Sequence, residues 1–285
     1  MSTTQASTVA STRVGALPSF SPLRTISLGL RRIPLELKMY FRAGDQVFFT
    51  FLFPTLIYSL FATVFSEQDL PGELTMATYY LPGLIAGAIL LSGVQNLATD
   101  IAVEKSDGTL KRLGGSPLSP VSYFVGKLGQ VIVTSLLQIG LLVAVAVLAF
   151  GAQLPTTAEA WGIIVWVYVL GIAACAFAGI ALSAVPRSGK TASAVVIPIV
   201  LVLQFVSGVY LQFSMLPEWL QTASGLFPVR WMAQGLRAAF LPDTWAAQEP
   251  NGSWDLWLVA LNLVAWIVAA LVLSRLTFRW IHKDR

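Results

Sequence analysis

The sequence predicts an all-α polytopic membrane protein: six transmembrane helices, an interfacial helix ahead of them, and re-entrant outer helices between spans five and six. Three observations carry this. Apolar residues make up 56% of the chain, with mean hydropathy +0.73, and they fall in continuous blocks instead of 3.6-period stripes. Several blocks reach the roughly 20 residues of helix that cross a hydrocarbon core about 30 Å thick. Only helices or closed barrels satisfy backbone hydrogen bonds there, and the alternating segments of about 10 residues that barrel strands need are missing. Finally, only 11% of residues are charged, and the basic ones concentrate between alternate pairs of blocks.

Residues 1–21 are rich in Ser, Thr and Ala, carry one cation, Arg13, and lack the apolar run of a secretory signal peptide. They read as a disordered cytoplasmic tail. In residues 22–45, Leu23, Ile26, Leu30, Ile33, Leu37 and Phe41 step by three or four among Arg24, Arg31, Arg32, Lys38 and Arg42. That pattern fits an amphipathic helix in the membrane interface, its cations beside anionic lipid headgroups. The first turns of a longer span are the alternative, disfavoured because Arg31, Arg32 and Lys38 are costly deeper in the bilayer. Residues 46–275 hold the spans, at 46–65, 77–98, 124–150, 161–184, 192–211 and 255–275, followed by a tail at 276–285. Pro54, Pro82 and Pro198 lie inside three of them, as membrane helices tolerate.

Orientation follows from Lys and Arg. With both termini cytoplasmic, inner segments hold 16 of the 18 basic residues, while outer segments hold Arg230 and Arg237 against eight acids. A multi-pass protein of the cell membrane (plasma or inner) is expected. The outer stretch 212–254 mixes Leu216, Leu220, Leu226, Trp231, Leu236, Phe240 and Leu241 with Pro217 and Pro228, which suits short helices dipping into the outer leaflet.

Several function classes are excluded or disfavoured. The net charge of +4 follows topology and does not point to nucleic acid. A single cysteine, Cys175, allows no internal disulfide and no cysteine metal cluster, and it reads as a small core residue. Residues 184–191, AVPRSGKT, mimic a phosphate loop, but they join two spans and lack the strand and soluble helix that make such a loop bind nucleotide. There is no HExxH or GxSxG, and the sole histidine, His282, is in the tail, so no catalytic residues and no metal site are expected. Span centres carry Gln95, Asn96, Gln138, Gln204 and Asn262 but no ionisable group, which disfavours an ion-driven carrier. Gly83 and Gly87 form a GxxxG that serves either tight helix packing or dimerisation.

What remains is a charged island, DIAVEKSDGTLKRLGGSPLSPVSYFVGK, with Asp100, Glu104, Lys105, Asp107, Lys111 and Arg112 within 13 residues. Its balance of acids and bases exceeds what topology requires. Glu104 through Leu113, with Pro117, Tyr123 and Gly126-Lys127, resembles the inner loop of type-two ABC transporter permeases. Glu36 through Arg42 before Pro54, Ser207-Gly208, Leu216-Pro217 and Pro228 extend the resemblance over nearly the whole chain. These permeases are membrane subunits of drug, lipid and polysaccharide exporters, and the daunorubicin-resistance-like multidrug branch is the most similar.

The resemblance implies two permease chains, same or homologous, joined to two cytoplasmic ABC ATPase subunits. Those subunits hold ATP and Mg, so this chain needs no cofactor and is not itself an enzyme. The region 100–120 becomes a cytoplasmic coupling helix, with Asp100, Glu104, Lys105, Gly108, Thr109, Leu110, Arg112 and Leu113 contacting the ATPase. Its mixed charges suit the rim of such a contact, with Leu110 and Leu113 as apolar anchors. Arg31, Arg32, Lys38 and Arg42 fall on a connecting helix, and Ser207, Gly208, Leu216, Pro217 and Pro228 on an outer gate. The cargo is expected to be an amphipathic drug, a lipid or a lipid-linked glycan moved outward between spans one, two and five. An ATP-independent carrier or channel is the alternative, and a membrane scaffold without transport is a third reading.

Overall fold

The computed structural model describes residues 21–67, 70, 74–116, 118–211 and 213–278. The expected tails, apart from Ser21 and residues 276–278, lie outside the described residues, as does Pro117. The described residues contain helices and no strand, and six helices are long and apolar enough to cross a membrane. In chain order these are α1 (Pro22–Arg42), α2 (Gly44–Val64), α3 (Met76–Ser106), α4 (Thr109–Gly114), α5 (Pro120–Phe150), α6 (Ala158–Leu182) and α7 (Gly189–Val206). Short α8 (Glu218–Ser224), α9 (Pro228–Phe240) and the last spanning helix, α10 (Leu256–Thr277), follow. The spans are α2, α3, α5, α6, α7 and α10.

The chain turns from α1 into α2 at Ala43, two residues before the expected boundary, so Asp45 sits in the first turn of α2, where a carboxylate complements the helix dipole. Helices α2, α3 and α7 run through Pro54, Pro82 and Pro198. The largest departure is at the second span. It was expected to end at 98, but it continues to Ser106, with Leu91–Asn96 wound as a π-helix. Asp100 and Glu104 therefore belong to a helix and not to a loop. Span three likewise starts early, at Pro120, because Ser119 caps it: its side chain accepts from the Ser122 N–H at 3.1 Å. The inner connection thereby shrinks to a tight turn around α4.

Helix α3 is the hub. Of its most apolar window 94% is buried within the chain, against 22% for α7 and 17% for α10. Helix α3 packs against α2, α5, α6, α7 and α9. Its contact with α6 depends on two glycines, since a Cβ at Gly179 would lie 2.4 Å from the Gly93 carbonyl and one at Gly93 would lie 2.6 Å from Cys175 Cβ. Fully buried Cys175 fills this crossing as a small core residue. The GxxxG also packs inside the chain: Gly83 and Gly87 meet Val209 in the turn that follows α7. Helix α9 buries most of its length against α3, α6 and α10.

Candidate functional site

One face of α3 organises the site. Asn96, Thr99, Asp100, Val103 and Glu104 recur at three- and four-residue spacing and line a cavity, while Leu97, Ala98, Ile101 and Ala102 are buried on the other faces. The cavity measures about 650 Å³ and lies between α1, α2, α3 and α7, with Lys127 and Gln130 of α5 at its floor. Asp45, Phe49, Phe53, Ser193, Ile197 and Leu201 are exposed along its rim. Its walls are cross-tied by polar side chains: Gln46 donates to Asp100 at 3.0 Å, and Asn96 donates to Thr50 at 2.9 Å and to Tyr40 at 3.4 Å. Burial pushes the Tyr40 phenol up to about 12, so it stays neutral and can accept that bond.

Beneath the cavity lies an ion cluster joining three helices. Lys127 Nζ is 2.7 Å from Glu104 Oε1 and 2.8 Å from Glu36 Oε2. Arg32 Nε donates to the other oxygen of Glu36 at 2.6 Å, and the Tyr123 hydroxyl donates to Glu104 Oε2 at 2.6 Å. The Arg32 guanidinium also lies 5.3 Å from the Tyr123 ring centre. Lys127 and Glu36 are 3% and 1% exposed, so the cluster is dry. Two carboxylates face two cations, each charge paired or hydrogen-bonded, which is the condition under which buried charge is tolerated. Lys127 is about 10 Å along the axis from the start of α5, so the cluster lies near one end of the bundle.

The expected inner site therefore divides. Asp100 and Glu104 turn inward, to the cavity and the ion cluster. Leu110 is 3% exposed and packs into this chain's own core, with Leu113 partly buried against it, so neither is a free anchor for a partner. A six-residue helix reached through a sharp turn needs its own apolar foot. The turn is made by Gly108 at φ +78, with the Asp107 carboxylate accepting from the Thr109 N–H at 2.8 Å. Exposed at the tip are Asp107, Lys111 and Arg112, with Lys105 half-buried. Arg187 and Lys190 are exposed on the neighbouring α6–α7 connection, whose Gly189 abuts Ser106 and Val103. In that connection Ser188 and Thr191, the end of the phosphate-loop lookalike, form a capping box on α7. On α1, Arg31, Lys38 and Arg42 are exposed, but Arg32 departs from the expected lipid-facing row because Glu36 and Tyr123 draw it inward.

At the opposite end, Arg237 Nε pairs with Glu249 at 2.8 Å, and its Nη1 donates to the Gly208 carbonyl at 3.4 Å. Gly208 takes φ +72 to turn the chain out of α7. Tyr210 bonds back to Gln204, which lines the deep end of the cavity. Arg230 lies 4.7 Å and 4.5 Å from the ring centres of Phe213 and Trp231, and burial lowers its proton affinity. Of the expected outer residues, Ser207, Gly208, Leu216 and Pro228 are buried around this network, and Pro217 is exposed.

Sequence reasoning missed the roles of Lys127, Glu36, Arg237 and Glu249, whose partners are distant in sequence. The inward face of α3 did leave a signal, in the four-residue spacing of Asn96, Asp100 and Glu104. Among the described residues no group of His, Cys, Asp and Glu could hold a metal ion.

A family model described as ABC-2 family transporter protein matches residues 68–276, from the end of α2 to that of α10. No curated protein matches the chain. The match covers five of the six spans, the face of α3 that lines the cavity, and the α4 turn. The chain belongs to the ABC-2 family of transporter proteins and is the membrane permease component of an ABC transporter, which works with ABC ATPase partners.

Proposed function

We propose that this permease exports an amphipathic molecule, a drug-like compound or lipid, across the cell membrane, driven by ATP hydrolysed with Mg on two cytoplasmic ATPase subunits. Two permease chains would face each other across the cavity, each keeping its termini in the cytoplasm. The observation that carries the reading is the continuity of α3, which lines the cavity with Asn96, Asp100 and Glu104 and ends at the exposed α4 turn. Asp107, Lys111 and Arg112 at that turn would meet the ATPase. Helix α1, with Leu23, Ile26, Leu30, Arg31, Lys38 and Arg42 exposed, would lie in the interface among membrane lipids. The Arg237–Glu249 network around Gly208 would close the outer end.

The test is co-purification of the chain with its ATPase, followed by ATP hydrolysis and transport measurements on a Lys105→Ala/Arg112→Ala double variant. Export driven through the α4 turn requires the variant to fold normally and to lose cargo-stimulated hydrolysis. If hydrolysis and transport are untouched, the coupling role of that turn is wrong.

A further inference from the structure

The lining of the cavity selects among possible cargoes, and this step rests on the export reading above. Its wall carries four acids, Glu36, Asp45, Asp100 and Glu104, and one cation, Lys127. Lys127 is held between Glu36 and Glu104, and Glu36 also binds Arg32. Asp100 accepts a hydrogen bond from the neutral Gln46 amide and feels Lys127 only through space, and Asp45 sits exposed at the rim. The formal balance of the wall together with Arg32 is thus two negative charges in excess, both on the side of the cavity bounded by the start of α2.

A second observation is independent of charge. Gln130 is 1% exposed and lines the same cavity, and its Oε1 has no hydrogen-bond partner. A buried acceptor left unmatched costs about 1–3 kcal/mol, so a ligand that donates to it gains by relieving that cost. The carboxylates of Asp45 and Asp100 are acceptors as well. The remaining wall is apolar and aromatic, including Tyr40, Phe49, Phe53 and Leu201. Ring faces attract cations, and apolar walls take up a hydrophobic body.

We propose that the cavity binds an amphipathic organic cation carrying N–H donors, an alkyl- or arylmethyl-ammonium. Its ammonium sits beside Asp100, between the rim at Asp45 and the floor at Gln130, and its apolar body lies along Phe49, Phe53 and Leu201 toward Gln204. A phosphate- or pyrophosphate-bearing cargo, such as a lipid-linked glycan, would meet two carboxylates in excess of the nearby cations and is rejected, since like charges at short range repel strongly in a partly dry site.

Three probes share one body and differ in charge: 1-pyrenemethylammonium, 1-pyrenemethanol and 1-pyrenecarboxylate. Binding to the full chain in neutral maltoside is read by fluorescence titration. The ammonium is expected to bind ~10-fold tighter than the alcohol, and the carboxylate more weakly than either. Asp100→Asn, which keeps the Gln46 contact, should cost the ammonium ~5–10-fold and leave the alcohol unchanged, while Gln130→Leu removes an acceptor open to both N–H and O–H donors and should weaken the two alike. Asp45→Asn, at an exposed position, gives the same readout as Asp100→Asn if that buried variant folds poorly. Equal binding of the three probes, or an Asp100→Asn variant that weakens alcohol and ammonium alike, overturns the assignment. ATP-dependent movement of the probes in vesicles holding the chain and its ATPase separates the two proposals. Selective binding without any ATP-driven movement overturns export and leaves the ligand class standing. ATP-driven movement of the carboxylate as fast as the ammonium overturns the ligand class and leaves export standing.

Discussion

Replacing Lys127 with Met removes the one cation shared by Glu36 and Glu104 and leaves two carboxylates facing each other in a dry site. Breaking a buried ion pair from one side costs about 3–5 kcal/mol, because a charge stays buried without its partner. Here Glu36 keeps Arg32 at 2.6 Å and Glu104 keeps Tyr123 at 2.6 Å, and a buried carboxylate can take up a proton, so the lower end applies, about 3 kcal/mol. At about 2–4 °C per kcal/mol for a chain of this size, the apparent Tm falls by about 6–12 °C. The nine tryptophans make intrinsic fluorescence in neutral detergent a direct assay. Adding Glu104→Gln to Lys127→Met removes one of the stranded charges and should recover about half of the loss. A Lys127→Met protein melting within about 1 °C of the parent would refute the reasoning, since a loss that small is what exposed substitutions produce.

Three further outcomes follow from other contacts. Gly179→Leu should abolish normal packing of α3 on α6, seen as aggregation or loss of a monodisperse peak on size exclusion, because even a Cβ there would sit 2.4 Å from the Gly93 carbonyl. Leu110→Ala should lower stability by about 2–5 kcal/mol, as for any buried leucine, whereas Arg112→Ala should change it by less than about 0.5 kcal/mol; thermal melts of the two variants separate the foot of α4 from its exposed face. Arg237→Met strands Glu249, which is 6% exposed, and should cost about 3 kcal/mol, while the double variant with Glu249→Gln regains part of it in a melting comparison.

The spans were legible because lipid imposes length and apolarity on each helix separately. Thus the first span, expected at 46–65, lies at Gly44–Val64, and the last, expected at 255–275, at Leu256–Thr277. The phosphate-loop lookalike was also readable as a connection, since its neighbours were spans. What failed was the assumption that a helix ends where charge begins. Asp100 and Glu104 lie four residues apart on one face, and Leu97 and Ile101 lie on another, so charge marks an inward polar stripe of α3. The stripe is tolerated because Gln46, Tyr123 and Lys127 meet it, and no local pattern announces partners that come from other helices. Leu110 misled for a related reason: an apolar residue in a charged turn looks like an anchor for a partner until the chain's own core is seen to take it.

The ion cluster also constrains how movement at α4 can reach the cavity. Glu104 ties the end of α3 to α5 through Lys127 and Tyr123, and Lys127 ties both to α1 through Glu36. A force on the α4 turn that separated these three helix ends would break ion pairs in a dry site, at about 3–5 kcal/mol each. A shared displacement breaks none. The lower parts of α1, α3 and α5 are therefore coupled as one body, and relative motion is cheaper elsewhere along α3. It is not cheap at the π-helical turns Leu91–Asn96, since Gly93 there packs directly on Gly179 and Cys175 of α6. Leu91, Gln95 and Asn96 of those turns line the cavity, so the cavity wall and the α3–α6 crossing are one stretch of helix.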